Sequence, residues 1–134
     1  SEEIIIPYVS PVDNRVHRYF PDFYMKYRNN KDMIVEELIE VKPFSQCTPP
    51  NPKKKLTKTG RTSKRYLKEV QTYMVNDAKW SQAMKYCKDR KWKWRILTEK
   101  DINIYYLRDL LHHTVLHKIF LLYLFLYSKI QNNF

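Results

Sequence analysis

Cysteine is scarce in this 134-residue sequence, which has only Cys47 and Cys87. The two stand far apart and form no CxxC pair, so a cysteine zinc site is excluded and nothing indicates a disulfide. No signal peptide opens the sequence. The apolar run Ile119–Tyr127 has nine residues, whereas a membrane span needs about 20. Attachment to a membrane is therefore not expected.

Charge of one sign dominates part of the sequence. The net charge is +11, and residues 53–95 hold fifteen Lys/Arg against three Asp/Glu, so the remainder is close to neutral. This asymmetry is typical of a polyanion binder, although a solvated surface or an RNA contact of the ribosomal type would give the same count. No zinc-finger or recognition-helix motif is present, so we expect salt-sensitive, sequence-tolerant binding. The candidate DNA-binding residues are Lys53, Lys54, Lys55, Lys58, Arg61, Lys64 and Arg65.

Two carboxylates and a lysine form the best candidate for a chemical site. Asp22 follows a proline, and Glu40 and Lys42 stand two positions apart further along the chain. A carboxylate beside an ammonium group suits a site that holds a divalent cation and a nucleophilic water, and Asp22 brings a second carboxylate to it. The spacing is typical of a metal-dependent phosphodiesterase. A solvated Glu-x-Lys pair is the alternative.

A strand is predicted to carry the second half of this pattern. Residues 33–42 end in β-branched and apolar side chains, and such side chains favour a strand. Because side chains alternate along a strand, Glu40 and Lys42 share one face while Ile39 and Val41 occupy the other. The apolar second face predicts a central strand. Pro43 ends the strand and places the pattern at its end.

One domain of the α/β class is expected from the length and from the order of the predicted elements. Eleven Tyr, six Phe and three Trp indicate a packed core rather than a disordered tail. Three strands in an antiparallel meander, a proline-rich loop over 43–62 and two helices precede a last strand that is reached by a crossover. The predicted elements are strands at Ile4–Val9, Arg15–Tyr27, Met33–Lys42 and Trp92–Leu97, and helices at 64–75, at 76–91 and from Thr98 onward.

The C-terminal part, residues 102–134, is predicted to be a separate hydrophobic extension. We expect it to pack or oligomerise rather than to attach to a membrane. His113 and His117 lie one helical turn apart and would suit a metal, but without an HExxH pattern ordinary helix histidines are expected.

Four segments together resemble the head-completion nucleases of contractile-tailed bacteriophages, a family of the PD-(D/E)XK nuclease superfamily. The resemblance covers about residues 2–101. It implies a restriction-endonuclease-like mixed sheet flanked by helices, and the elements predicted above have the order βββ-α-α-β-α. The segments that carry it are Arg18–Lys26, Ile39–Pro43, Thr72–Asn76 with Lys79-Trp80, and Arg95–Glu99.

The resemblance assigns roles to the residues of the candidate site. It implies that Asp22 and Glu40 are metal ligands and that Lys42 is the catalytic lysine. The implied cofactor is Mg²⁺ or Mn²⁺, hard cations that carboxylates bind. The Val41 carbonyl, between the two site residues, is a further candidate ligand.

Family members also carry a glutamate on a helix ahead of the first strand. Because the sequence opens at Ser1 on a strand-like run, we expect a preceding segment to supply it, and a weaker metal site in its absence. Asn76, Lys79 and Trp80 match family positions. We expect Trp80 to pack in the core, while Asn76 and Lys79 are candidates for supporting roles.

Three functions follow as hypotheses. The first is a Mg²⁺-dependent endodeoxyribonuclease that acts in phage head completion and DNA packaging. DNA and phage head or portal proteins would be its partners, in the virion or the host cytoplasm. The second is a non-catalytic DNA-binding virion protein that keeps the nuclease fold. The third is an RNA-binding module that stacks bases on Trp92 and Trp94 beside Lys93, although burial of these rings in the core is the expected alternative.

Overall fold

The computed structural model describes residues 3–101, which form two small sheets and one long helix. A two-stranded antiparallel sheet pairs β1 with β2, and a three-stranded mixed sheet has the order β3-β4-β5. The elements of this part of the chain are β1 (Ile6–Val9), β2 (Val16–Tyr19), β3 (Phe23–Arg28), β4 (Ile34–Val41), α1 (Lys64–Arg90) and β5 (Lys93–Leu97).

The prediction of an α/β fold with a mixed sheet is confirmed. β4 is the central strand, as its apolar face indicated, because it pairs antiparallel with β3 and parallel with β5. A parallel pair requires a crossover connection, and α1 supplies it. The finer order βββ-α-α-β-α is only partly matched, because the described residues contain one main helix and the strands divide differently.

The predicted strand Arg15–Tyr27 is wrong in one respect, since it is two strands. β2 ends at Tyr19, β3 begins at Phe23, and the two belong to different sheets. Pro21 lies between them and has no N–H to donate, so a continuous ladder through this position would lose a hydrogen bond. The break lets the chain leave its pairing with β1 and pair with β4 instead. The three-strand meander is therefore two hairpins in succession.

The two predicted helices are one helix of 27 residues. Ser63 caps it as expected, because its side chain accepts a hydrogen bond from the N–H of Tyr66. Asn76, which resembled a second cap, lies inside the helix and is buried. Residues 64–90 contain neither glycine nor proline, so no residue forces the helix to stop between its ends.

A left-handed residue ends α1. Lys91 has φ 58°, and its N–H and that of Trp92 donate to the carbonyls of Lys88 and Cys87. This is the Schellman pattern, and the contact between the rings of Tyr86 and Trp92 accompanies it. The chain thereby turns directly from the helix into β5.

The main core lies between α1, the β1–β2 hairpin and one face of the three-stranded sheet. Leu38 of β4 and Ala83 of α1 are fully buried there. Burying a side chain such as Leu38 contributes roughly 1.5–3 kcal/mol. The described members of this cluster are Ile6, Tyr8, Tyr19, Leu38, Ala83 and Cys87, with Trp92 and Trp94 packed against it.

The opposite face of β4 carries Glu37, Ile39 and Val41, all buried. Glu37 forms an ion pair with Arg95 of β5, at 3.1 Å between Arg95 Nε and Glu37 Oε1. The Tyr27 hydroxyl donates to the same carboxylate at 3.4 Å. A buried charge is thus held within the sheet by its two neighbouring strands.

The proline-rich stretch 43–62, predicted to be a loop, contains short ordered pieces. Two 3-10 helices lie at Phe44–Gln46 and Pro52–Lys54, and Leu56 and Thr62 form a β-bridge. Gly60, with φ 77°, occupies the turn of this small hairpin, where a residue without a Cβ avoids steric strain.

Within residues 3–101, no helix is both long enough and apolar enough to cross a membrane. The predicted C-terminal extension 102–134, with His113 and His117, lies outside the described residues, and so does most of the helix predicted from Thr98. These remain predictions.

Candidate active site

Glu40 and Lys42 lie at the end of the central strand and contact each other. The Lys42 Nζ is 3.0 Å from Glu40 Oε1, so the side chain of Lys42, the residue just after β4, lies on the same side of the strand end as Glu40. Glu40 is only 3% exposed, whereas the Lys42 side chain is 21% exposed. A carboxylate so deeply buried requires close partners, because removing a charge from water without compensation is costly. Lys42 is one such partner, and it still reaches the surface.

Strand register places Asp22 beside this pair. Phe23 of β3 lies opposite Ile39 of β4, so Asp22, one residue earlier, falls opposite Glu40. Opposite residues of antiparallel strands direct their side chains to the same face. Asp22 Oδ2 also accepts a hydrogen bond of 2.8 Å from the Val41 N–H. The carboxylate thereby takes a backbone donor at the point where the β3–β4 ladder ends.

Tyr19 is a further residue of the site, because its side chain is the second one that contacts the Glu40 carboxylate. Tyr19 was not predicted from the sequence. Its hydroxyl donates to Glu40 Oε2 at 2.7 Å. Burial, followed by the nearby carboxylate of Glu40, raises the pKa of Tyr19 well above its usual value, and Asp22 adds to the effect. The hydroxyl therefore keeps its proton and acts as a donor. No motif or spacing in the sequence indicated this contact, because Tyr19 and Glu40 belong to different sheets.

Of the supporting candidates, Lys79 lies beside the site. Its Nζ is 5.9 Å from the centre of the Tyr19 ring and 5.7 Å from that of Tyr8, the range of cation–π contacts. Asn76 and Trp80 are buried on α1, and Trp80 packs as expected. Among the described residues, the side-chain N–H groups of both lack a partner. The structure shows no contact that links Asn76 to Asp22, Glu40 or Lys42 in this part of the chain.

The carboxylate of Glu99 holds the turn that follows Lys42. Glu99 Oε2 accepts a hydrogen bond of 2.8 Å from the Phe44 N–H. The Lys100 ammonium lies over the Phe44 ring, 3.2 Å from its centre. These contacts tie the end of β5 to the turn after β4. Glu99 thus has a structural role. It belongs to Arg95–Glu99, one of the four segments that resemble the family.

The predicted DNA-binding residues lie apart from the three site residues, on the stretch before α1 and on its first turn. All seven are exposed. One of them, Arg65, pairs with Glu69 at 3.1 Å. Residues 43–68 contain no Asp or Glu, and Glu69, just beyond them, pairs with Arg65. The segment presents concentrated positive charge to the solvent.

The stacking platform of the RNA hypothesis finds no support in the packing. The Trp92 ring lies 5.0 Å from that of Tyr24, and Trp94 meets Tyr19 edge-on at 6.5 Å. Both tryptophans pack against the core and are only partly exposed. Rings engaged in this way are not open faces for bases.

The donor set of the site fits a hard divalent cation. Asp22 and Glu40 supply carboxylate oxygens, and Mg²⁺ is commonly held by one or two carboxylates, with water and phosphate oxygens completing its shell. Within residues 3–101, no cluster of three or more His, Cys, Asp or Glu side chains is placed to hold a metal. A site of this type would thus depend on water, on phosphate and on backbone oxygens. The Val41 carbonyl remains a predicted ligand.

Glu40 at the end of the central strand of a mixed sheet, with Asp22 and Lys42 beside it, is the arrangement expected of a PD-(D/E)XK-like domain. Residues 1–99 match the family described as TnsA-like endonuclease, N terminal, and the chain belongs to this family. It is 35% identical over 99 residues to the head completion nuclease of Enterobacteria phage T4. That alignment covers 74% of this chain and 62% of the relative, so the chain spans less than two thirds of the relative's length. No solved structure matches the chain significantly. The resemblance drawn from the sequence is confirmed.

Proposed function

We propose that this protein is a metal-dependent endonuclease that hydrolyses phosphodiester bonds in DNA. The observation that supports this proposal is that Asp22, the residue just before β3, lies opposite Glu40 of β4, with Lys42 in contact with Glu40. Family membership supports an endonuclease. The head completion nuclease of phage T4 supports a role in phage head completion. Head or portal proteins would then be partners, and the virion or the host cytoplasm the place of action.

The roles of the residues follow from their chemistry. Asp22 and Glu40 would hold Mg²⁺ or Mn²⁺ at the end of β4. A bound Mg²⁺ lowers the pKa of a coordinated water and polarises a phosphoryl oxygen. Lys42 either orients the attacking water or offsets the negative charge that grows on the phosphate in the transition state. Its partial exposure lets it reach a backbone phosphate while it keeps its contact with Glu40.

Cleavage of supercoiled plasmid tests this function. The full 134-residue chain, incubated with plasmid and Mg²⁺ or Mn²⁺, is expected to convert supercoiled DNA to nicked or linear forms, as read on an agarose gel. EDTA should abolish the conversion and added Mg²⁺ should restore it. Cleavage that persists in EDTA would contradict the metal site. Binding without cleavage would instead favour the non-catalytic DNA-binding protein.

The basic segment from Lys53 to Arg65 is proposed as the DNA-contacting surface. The logarithm of the DNA affinity falls linearly with the logarithm of the salt concentration, and each lost phosphate contact reduces the steepness of this line by about 0.9. Replacing Lys55, Lys58 and Arg61 with glutamine should therefore reduce that slope by up to about 2.7 if each residue contacts a phosphate. Fluorescence anisotropy of a labelled duplex in EDTA measures the slope without cleavage.

A matched triple variant controls for net charge. Lys85, Lys88 and Lys91 are exposed residues at the far end of α1 and just beyond it. Replacing them with glutamine removes the same charge and should leave most of the slope in place. Equal losses in both variants would show that affinity follows the net charge of the protein rather than this surface. A salt-insensitive affinity of the parent would also exclude phosphate contacts by the segment.

A further inference from the structure

Each oxygen of the Glu40 carboxylate has its own partner. Oε1 faces Lys42 Nζ at 3.0 Å, and Oε2 accepts the hydroxyl proton of Tyr19 at 2.7 Å. A carboxylate offers about four lone-pair positions, so these two contacts leave acceptor capacity for a cation. These two contacts also fix the orientation of the carboxylate plane. Lys42 is long and partly exposed, whereas Tyr19 is buried, so the tyrosine provides the firmer of the two contacts.

The surroundings of Tyr19 hold its hydroxyl in place. The ring is 4% exposed and belongs to the main core. Trp94 contacts it edge-on, and the ammonium of Lys79 lies over it. Tyr19 is the last residue of β2, on the hairpin that packs with α1. A donor fixed in this way can orient a neighbouring side chain without moving itself.

The hydrogen bond is of the strong kind. The Tyr19 hydroxyl donates to Glu40 Oε2 over 2.7 Å, and the ring that carries it is buried. A neutral hydroxyl that donates to an ionised carboxylate forms a short, charge-assisted hydrogen bond. In metal sites, partners that orient a ligand in this way contribute substantially to metal affinity.

We propose that Tyr19 is a positioning residue of this site, whose hydroxyl fixes the Glu40 carboxylate in the orientation that binds the divalent cation. This inference rests on the proposed function, since it presupposes a metal at Glu40. Tyr19 touches neither the water nor the phosphate in this scheme and acts through Glu40. Its loss should weaken metal binding more than it weakens the chemical step.

The test replaces Tyr19 with phenylalanine, which removes only the hydroxyl. Binding of Mn²⁺ to the full chain, in the absence of DNA, is measured by electron paramagnetic resonance of the free ion. We expect the Kd for Mn²⁺ to rise about tenfold, at the lower end of the effect of losing an orienting partner. The Mg²⁺ concentration for half-maximal cleavage should rise similarly, while the rate at saturating Mg²⁺ stays within about twofold of the parent rate.

Tyr8→Phe is the matched control. Tyr8 lies on the same hairpin, in the same core cluster and beneath the same Lys79. Its substitution also removes one tyrosine hydroxyl from the same hairpin, so a general effect of losing such a group appears in both variants. Tyr8→Phe should leave Mn²⁺ binding unchanged. If Tyr19→Phe recovers cleavage at saturating Mg²⁺, that variant is folded. Recovery therefore distinguishes the loss of a positioning contact from the loss of the structure.

The outcomes distinguish this inference from the function on which it rests. If the parent binds Mn²⁺, Glu40→Gln loses binding and Tyr19→Phe binds as the parent does, the positioning role is wrong and the metal site stands. The role is also wrong if Tyr19→Phe lowers the rate at saturating Mg²⁺ without changing the Kd for Mn²⁺. A parent chain that binds no Mn²⁺ overturns the metal site and the role of Tyr19 together.

Discussion

Replacing Lys42 with alanine is expected to lower the rate of DNA cleavage by at least about 100-fold, the usual effect of removing one group that stabilises transition-state charge. The variant should still fold, but the buried Glu40 carboxylate then lacks its cation, so the free energy of unfolding should fall by about 2–3 kcal/mol. The Lys42 side chain is partly exposed. The backbone N–H of Lys42 donates to the Leu97 carbonyl, and alanine retains this hydrogen bond. Glu40 also keeps its hydrogen bond from Tyr19. Initial rates on supercoiled plasmid at saturating Mg²⁺ measure the effect, and circular dichroism checks the fold.

Lys26→Ala is the control for this measurement. Lys26 lies on β3 and forms an ion pair with Glu36 of β4 at 2.8 Å, an arrangement similar to that of Lys42 and Glu40 but away from the strand end. Its loss should change the rate by no more than about twofold, because an exposed pair contributes little. Preparing both variants in the same way also exposes any contaminating nuclease, which would cleave equally in each. Parental activity in Lys42→Ala would exclude the lysine from the chemistry.

A charge-preserving variant separates the two roles open to Lys42. Arginine keeps the positive charge, but its planar group has a different shape and donates hydrogen bonds in a fixed geometry. If Lys42 serves mainly to offset charge on the phosphate, Lys42→Arg should retain part of the activity that Lys42→Ala loses. If it orients the attacking water, arginine should restore little, because the position of the ammonium then matters more than its charge.

The placement of Glu40 and Lys42 was predictable from the sequence because strand geometry has few alternatives, while their catalytic roles remain predictions. The side-chain period of two puts Glu40 and Lys42 on one face once residues 33–42 form a strand. The position of Asp22 was less accessible, since it depends on the register between β3 and β4. Tyr19 was beyond reach for a further reason. It comes from a different sheet, and only the packing of the hairpin against α1 and β4 brings its hydroxyl to Glu40.

The errors in the predicted fold arise where a local signal competes with tertiary pairing. Asn76 has the side chain of a helix cap, but the apolar residues on either side of it face one common core, so the helix continues through it. The aromatic run around Pro21 has strand propensity throughout, and only the change of partner from β1 to β4 divides it. Propensity measures one residue in its local context, whereas these boundaries depend on residues far along the chain.

Replacing Arg95 with alanine is expected to lower the free energy of unfolding by about 2–3 kcal/mol, because the Glu37 carboxylate then stays buried without its cation. The Glu37 side chain is 5% exposed, and among the described residues the Tyr27 hydroxyl, at 3.4 Å, is the hydrogen-bond donor left to it. This expected loss in the free energy of unfolding is at or below the lower end of the losses seen when fully buried ion pairs are broken. The reason is that the Arg95 side chain is itself 46% exposed, so water partly screens its charge. Urea unfolding followed by circular dichroism gives the value.

Arg28→Ala provides the comparison, because Arg28 pairs with Asp32 at 2.9 Å on the surface of the same sheet. That pair is exposed on both sides, so its loss should cost no more than about 0.5 kcal/mol. Adding Glu37→Gln to Arg95→Ala should recover part of the stability, since a neutral amide is cheaper to bury than an unpaired carboxylate. Equal effects of the two arginine variants would mean that Glu37 is hydrated in the folded protein. Glu37 and Glu40 occupy opposite faces of β4, so Arg95→Ala should lower stability while the folded fraction cleaves DNA at the parental rate.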